Sequence, residues 1–126
     1  MRVTRFTVIH PGDILLIDFG TNSSKSRVDG RHLAYVIGRE DISSRDEYVM
    51  VIPVFRQRTR RSSSDDIKIR KKDCPGLHYP QYANVSNIQK VDRCRVERLI
   101  GYVSNPYIRD SIVDLIRREA GEFNDE

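Results

Sequence analysis

The side chains in this sequence that could do chemistry are mostly cations. Between Arg56 and Lys72 stand eight basic residues (Arg56, Arg58, Arg60, Arg61, Lys68, Arg70, Lys71 and Lys72) against Asp65 and Asp66. An earlier stretch, Asn22 to Gly30, is hydroxyl-rich and carries Lys25 and Arg27, with Arg31 just after it. The tail from Glu119 to Glu126 has the opposite sign. The formal charge is only +4, so it is this uneven distribution that favours a polyanionic partner on one face. A charge run is also what an ordinary solvated face looks like, and both readings stay open on composition alone. His10 and His78 each stand alone, and Cys74 and Cys94 have neither metal nor redox spacing, so no metal or other cofactor is expected. Free thiols suit a reducing compartment. No apolar run approaches the ~18 residues of a membrane span, and the basic start, Met1 to Phe6, lacks a signal-peptide apolar stretch. A cytoplasmic protein with no membrane partner is the expectation.

The elements that must position these cations can be read from periodicity. A length of 126 residues suggests one domain over 1–126 with a modest core, since 38% of residues are apolar and 32% charged. The firmest stretch is Gly12-Asp13-Ile14-Leu15-Leu16-Ile17-Asp18-Phe19-Gly20, a strand whose unbroken apolar run implies burial on both faces. Residues 1–9 form an arm or edge strand, set off by His10-Pro11. Strands follow at His32 to Gly38 and at Tyr48 to Phe55, where Pro53 marks an edge or bulge. Asp66 to Arg70 alternates cleanly, and Pro75-Gly76 is a turn. Short strands at Tyr82–Val85 and Ile88–Val91 precede a tight connector at Asp92–Arg95 and a last strand from Glu97 to Val103. A helix over 105–120 is capped by Ser104 or Asn105, opens with Pro106 and stops near Gly121. Its stripe of Ile108, Ile112, Leu115 and Ile116 should dock on the sheet.

Taken in order, these segments resemble the MazF/PemK toxins of bacterial toxin–antitoxin pairs. Gly12 to Phe19 resembles that family's opening strand, Gly30-Arg31-His32-Leu33-Ala34-Tyr35-Val36-Ile37 its second, and Val49 to Val54 its third. Tyr82 to Arg93 is similar to a segment the family writes D-Q-I-R-T-V-D, with Ser86-Asn87 in place of Asp-Gln, and Arg98 to Ser104 fits the last strand. The resemblance covers about residues 10 to 120. It implies a mainly β (α+β) fold, a small SH3-like β-barrel of the CcdB/PemK type with a C-terminal helix. It also implies a homodimer whose interface groove takes single-stranded RNA and cuts mRNA without metal. A cognate antitoxin would occupy the same groove, and the toxin with its antitoxin could bind operator DNA.

Metal-free RNA cleavage uses the ribose 2′-hydroxyl as nucleophile and needs a base, an acid for the leaving oxygen and cations for the phosphorane charge. In common family members an arginine after the glycine of the second strand and a threonine or serine near the end of the third do this work. Here those positions carry His32 and Phe55, and the family's alternative arginine and aspartate positions carry Asn84 and Ser86. Three repairs follow. His32 could itself be the acid or base, since imidazole titrates near working pH. A bulge after Gly30 could bring Arg31 into the groove, because a one-residue shift exchanges strand faces. Arg56 and Thr59 could replace the lost hydroxyl. The catalytic expectation is therefore His32, Arg31 and Arg56. The RNA-binding expectation is Lys25, Arg27, Arg58, Thr59, Arg60, Arg61, Asn84, Ser86 and Asn87. Phe55, Tyr79 and Tyr82 are candidate base platforms, or ordinary core and rim residues. Two rivals are a binding module that has lost cleavage, favoured by Phe55, and a poison of a protein target such as gyrase. The tail Glu122-Phe123-Asn124-Asp125-Glu126 lacks the aromatic pair expected of the latter.

Overall fold

Strand β1, Asp13–Asp18, is a buried strand of a seven-stranded antiparallel sheet, lying next to the strand at one end. The computed structural model describes residues 1–20, 28–57 and 66–124, with side chains to 119. β1 pairs on one side with β2, Arg31–Val36, in an unbroken register from Ile14↔Tyr35 to Asp18↔Arg31. On its other side it pairs with β7, Val96–Tyr102, through two register shifts. β3, Tyr48–Phe55, lies beyond β2 and changes partner along its length. Tyr48 to Val51 pair with β6, Gln89–Asp92, whereas Val54 and Phe55 pair with β5, Gln81–Asn84. β4, Asp66–Ile69, pairs with β5 and ends the sheet. The order β4-β5-β3-β2-β1-β7 is not closed among the described residues, so the expected barrel is a curved open sheet.

Period-two patterning sorts the apolar residues onto two faces. Ile14, Tyr35, Ile52 and Val54 enter one core cluster, and Leu15, Ile17, Ala34, Val36, Val49 and Val51 enter the other. β1 is thus buried on both faces, as its apolar run predicts. The first cluster is covered by helix α1, Pro106–Asn124, through Ile108, Ile112, Leu115 and Ile116, the predicted stripe. Asn105 caps it: its Oδ1 accepts the Tyr107 N–H at 3.0 Å. The helix runs through Gly121 rather than stopping there. A helical glycine costs only about 1 kcal/mol, and it ends a helix only when it turns left-handed.

Pro53 corrects a second expectation. It is neither at an edge nor at a bulge but buried within β3, opposite Ala34. The Ile37 N–H donates to the Met50 carbonyl across β2 and β3, and alternation from that pair turns the Pro53 nitrogen away from β2. It therefore faces the gap where β3 passes from β6 to β5, and no ladder bond is lost. The arm also settles: Arg2 bridges to Arg98 and Ile9 to Ile42, and the buried Arg93 guanidinium donates to the carbonyls of Thr4, Thr7 and Ile42. Short 3-10 turns at Val85–Asn87 and Arg93–Arg95 flank β6. Both cysteines are free: Cys94 is exposed, and Cys74 is buried, which pushes its thiol up to about 11.

Candidate functional site

Where β2 and β3 part, a cleft opens. Their pairing runs from Val36↔Val51 to Ala34↔Pro53, and one step further the register would set Leu33 opposite Val54. There His32 Nε2 donates to the Val54 carbonyl oxygen at 2.7 Å. A carbonyl can only accept, so Nε2 carries the proton and the lone pair of the neutral ring lies on Nδ1. The Phe55 ring packs against the imidazole, with centroids 4.8 Å apart and planes tilted by 47°. Phe55 thus steadies the His32 ring.

The cleft is about 400 Å³, within the usual range for a small-ligand site. Leu16, Leu33, Val54 and Ile100 give it an apolar floor, and the segment Gly76 to Tyr79 forms another wall. That segment is pressed onto β7. A Cβ on Gly76, whose φ is +110°, would fall 2.3 Å from the Ile100 carbonyl, so only glycine fits there. Asp73 ties the same segment to the helix start. Its carboxylate accepts from Asn105 Nδ2 at 2.8 Å and from the Arg70 N–H at 2.9 Å, while its carbonyl accepts the Ser104 N–H at 2.8 Å. The Asn105 amide, with the Arg70 N–H and the nearby Lys72 and Arg70 charges, holds the Asp73 carboxyl below the usual range against the opposing effect of burial.

Two of the predicted cations reach the cleft. Arg31 lies at its rim with Nε at 2.8 and 2.9 Å from the Glu97 carboxylate oxygens, an exposed pairing that pushes the guanidinium further up. The β1–β2 register is unbroken through Arg31, so the bulge after Gly30, one of the three possible repairs, is not used, and Arg31 and His32 both line the cleft. Arg56 lies over the Tyr79 ring at 3.6 Å, and both residues line the cleft. Of the remaining expected residues, Asn84 turns inward. It is buried, donates to Asp66 and accepts the Ser86 N–H and hydroxyl, capping the 3-10 turn that follows. Ser86 is exposed and Asn87 half-buried, and neither lines the cleft. Lys25, Arg27, Arg58, Thr59, Arg60 and Arg61 lie outside the described residues.

Sequence reasoning passed over His78 and Gln81, which also line the cleft. No spacing signals them, because only tertiary packing brings them to β2, His78 on the 70–80 segment and Gln81 at the start of β5. Among the described residues, no three His, Cys, Asp or Glu side chains converge as they would to hold a metal ion. No helix among them is long and apolar enough to cross a membrane.

An antiparallel sheet with one C-terminal helix, cut by a basic cleft between strands, defines a small class of β proteins. Residues 10–113 match the family model described as PemK-like, MazF-like toxin of type II toxin–antitoxin system, and the chain belongs to that family. Solved structures share the fold. The Mycobacterium tuberculosis toxin MazF-mt6 is 19% identical, with 84% of this chain and 93% of that one covered at a TM-score of 0.63. MazF from Deinococcus radiodurans is 12% identical, with 91% and 98% covered at a TM-score of 0.69. A mycobacterial endoribonuclease in complex with its cognate antitoxin is 14% identical, with 88% and 91% covered at a TM-score of 0.61. At these identities the likeness is one of fold. A search of curated protein sequences finds no match.

Proposed function

We propose that this chain is the toxin of a type II toxin–antitoxin pair and acts as a metal-independent endoribonuclease. It would cut single-stranded mRNA at a short sequence by attack of the ribose 2′-hydroxyl on the adjacent phosphorus. The observation that carries this reading is His32, held by the Val54 carbonyl in a cleft rimmed by Arg31 and Arg56. Nδ1 would take the 2′-hydroxyl proton as general base, and Arg56 would face the charge that develops on the phosphorane. Arg31 would join it once a phosphate competes for its bond to Glu97. Lys25, Arg27, Arg58, Thr59, Arg60 and Arg61 would position the strand beyond the cleft, with Ser86 and Asn87 further along it. A cognate antitoxin is the expected partner, in keeping with the antitoxin complex of a similar fold. A homodimer, operator DNA bound together with the antitoxin, and a cytoplasmic site of action belong to the same reading.

The test is incubation of the purified protein with a long single-stranded RNA in excess chelator, beside His32→Ala and Arg31→Ala. Discrete cuts are expected from the wild type, with a loss of about 10²- to 10⁴-fold in His32→Ala and a smaller loss in Arg31→Ala. Cuts that survive His32→Ala and vanish in Arg31→Ala would make Arg31 the essential cation of the cleft and leave His32 without a part in the chemistry. The second reading, a binding module without cleavage, is favoured by Phe55 at the position of the usual hydroxyl. RNA retained by every preparation and cut by none would establish it instead.

A further inference from the structure

We infer that His78 is the general acid of this cleft, so that cleavage runs on a pair of histidines. The inference rests on the nuclease reading above. That reading supplies a base, His32, and cations, Arg31 and Arg56, but leaves the departing 5′-oxygen without a proton donor. Arginine is a poor one, since its guanidinium does not give up a proton near neutral pH. Phe55 has no proton to give. The cleft's remaining proton donors are the Tyr79 phenol, whose ring lies under the Arg56 guanidinium, and the His78 imidazole, the commoner type of general acid. His78 lines it from the Gly76–Tyr79 segment, whereas His32 lines it from β2. In-line displacement sets the attacking and leaving oxygens on opposite sides of phosphorus, so base and acid must come from different walls. His78 does not wander with a free loop. The Gly76 backbone lies against the Ile100 carbonyl, Leu77 is buried in the core, and Arg56 covers the neighbouring Tyr79 ring.

The step balances without a metal or any co-reactant. The 2′-hydroxyl proton passes to His32 Nδ1 as the 2′-oxygen bonds to phosphorus. The bond from phosphorus to the 5′-oxygen breaks, and that oxygen takes a proton from the His78 imidazolium. The products are a 2′,3′-cyclic phosphate and a 5′-hydroxyl. Exchange with water then returns a proton to His78 and removes one from His32.

A general acid is diagnosed by its leaving group. The experiment uses the intact protein, His78→Gln and His32→Gln on two short RNAs spanning a site mapped from the wild-type cleavage ladder. One is natural, and the other carries sulfur in place of the scissile 5′-oxygen, because a thiolate departs without protonation. His78→Gln is expected to lose about 10²- to 10⁴-fold on the natural strand and less than about tenfold on the sulfur strand. His32→Gln should lose heavily on both. His78→Asn, at the same exposed position, should repeat the pattern if lost acidity rather than altered packing is the cause. Equal losses of His78→Gln on the two strands, or no loss on the natural one, would overturn the assignment while leaving the nuclease reading intact. A wild type that cuts neither strand would overturn both.

Discussion

At the residue scale the proposed site turns on one imidazole with an aromatic support. An arginine can clamp charge from many rotamers, but a histidine base must aim one nitrogen. The Val54 carbonyl fixes the proton-bearing nitrogen and the Phe55 ring restrains the plane. Such ring contacts are worth about 0.5–1.5 kcal/mol. Phe55→Ala should therefore lower kcat on RNA by about tenfold or somewhat less, with KM within about twofold, since Arg56 is untouched. An unchanged kcat in single-turnover assays would reduce Phe55 to a space-filling role. His32 was legible in the sequence because the resemblance marked its position. His78 was not, because nothing in the chain near it distinguishes a cleft histidine from a surface one.

At the scale of elements, the strands and the helix follow from period and capping, and what eluded the sequence were places where tertiary contacts override a local signal. Pro53 reads as an edge residue because proline cannot donate to a ladder, yet it sits mid-sheet where β3 changes partner. Gly121 reads as a stop, yet α1 continues to Asn124. The 70–80 segment reads only as a turn, and its tie to the helix start through Asp73 depends on residues distant in the chain. Charge-assisted hydrogen bonds of this kind are worth about 1.5–3 kcal/mol, so Asp73→Ala should lower Tm by several degrees at pH 7. It should also loosen the wall that carries His78. The pH dependence has a definite sign. The folded-state pKa of Asp73 lies below its unfolded value, so its stabilisation is complete above the ordinary carboxylate range, near 4. It fades as pH falls from there through the lower folded value. The Tm gap between wild type and Asp73→Asn should accordingly be widest near neutrality and shrink in strong acid. A gap that holds constant across thermal melts from about pH 7 to about pH 2.5 would show that the carboxylate charge is not what secures the segment.

At the scale of the whole molecule, the fold brings two of the cations seen in the sequence, Arg31 and Arg56, to one cleft. What composition could not reveal is which cations are already neutralised. Arg31 reads as free in the sequence, but in the fold β7 brings Glu97 to it at 2.8 Å, whereas Arg56 rests on an aromatic face and pairs with no carboxylate among the described residues. The difference has a measurable consequence for a polyanionic ligand. For single-stranded nucleic acid, the logarithm of affinity falls with the logarithm of salt by about 0.7 per phosphate neutralised. In a His32→Ala background that spares the strand, Arg56→Ala should flatten that slope by about 0.7 in anisotropy titrations between about 50 and 200 mM salt. Arg31→Ala should change it less, because the residue it removes already carries its own counter-charge. Glu97→Gln should do the opposite of both, freeing Arg31, tightening binding at low salt and steepening the slope by about 0.7. If Glu97→Gln leaves slope and affinity unchanged while Arg31→Ala costs as much as Arg56→Ala, the bound strand displaces Glu97 without penalty. The rim pair would then play no part in setting how tightly the cleft holds a polyanion.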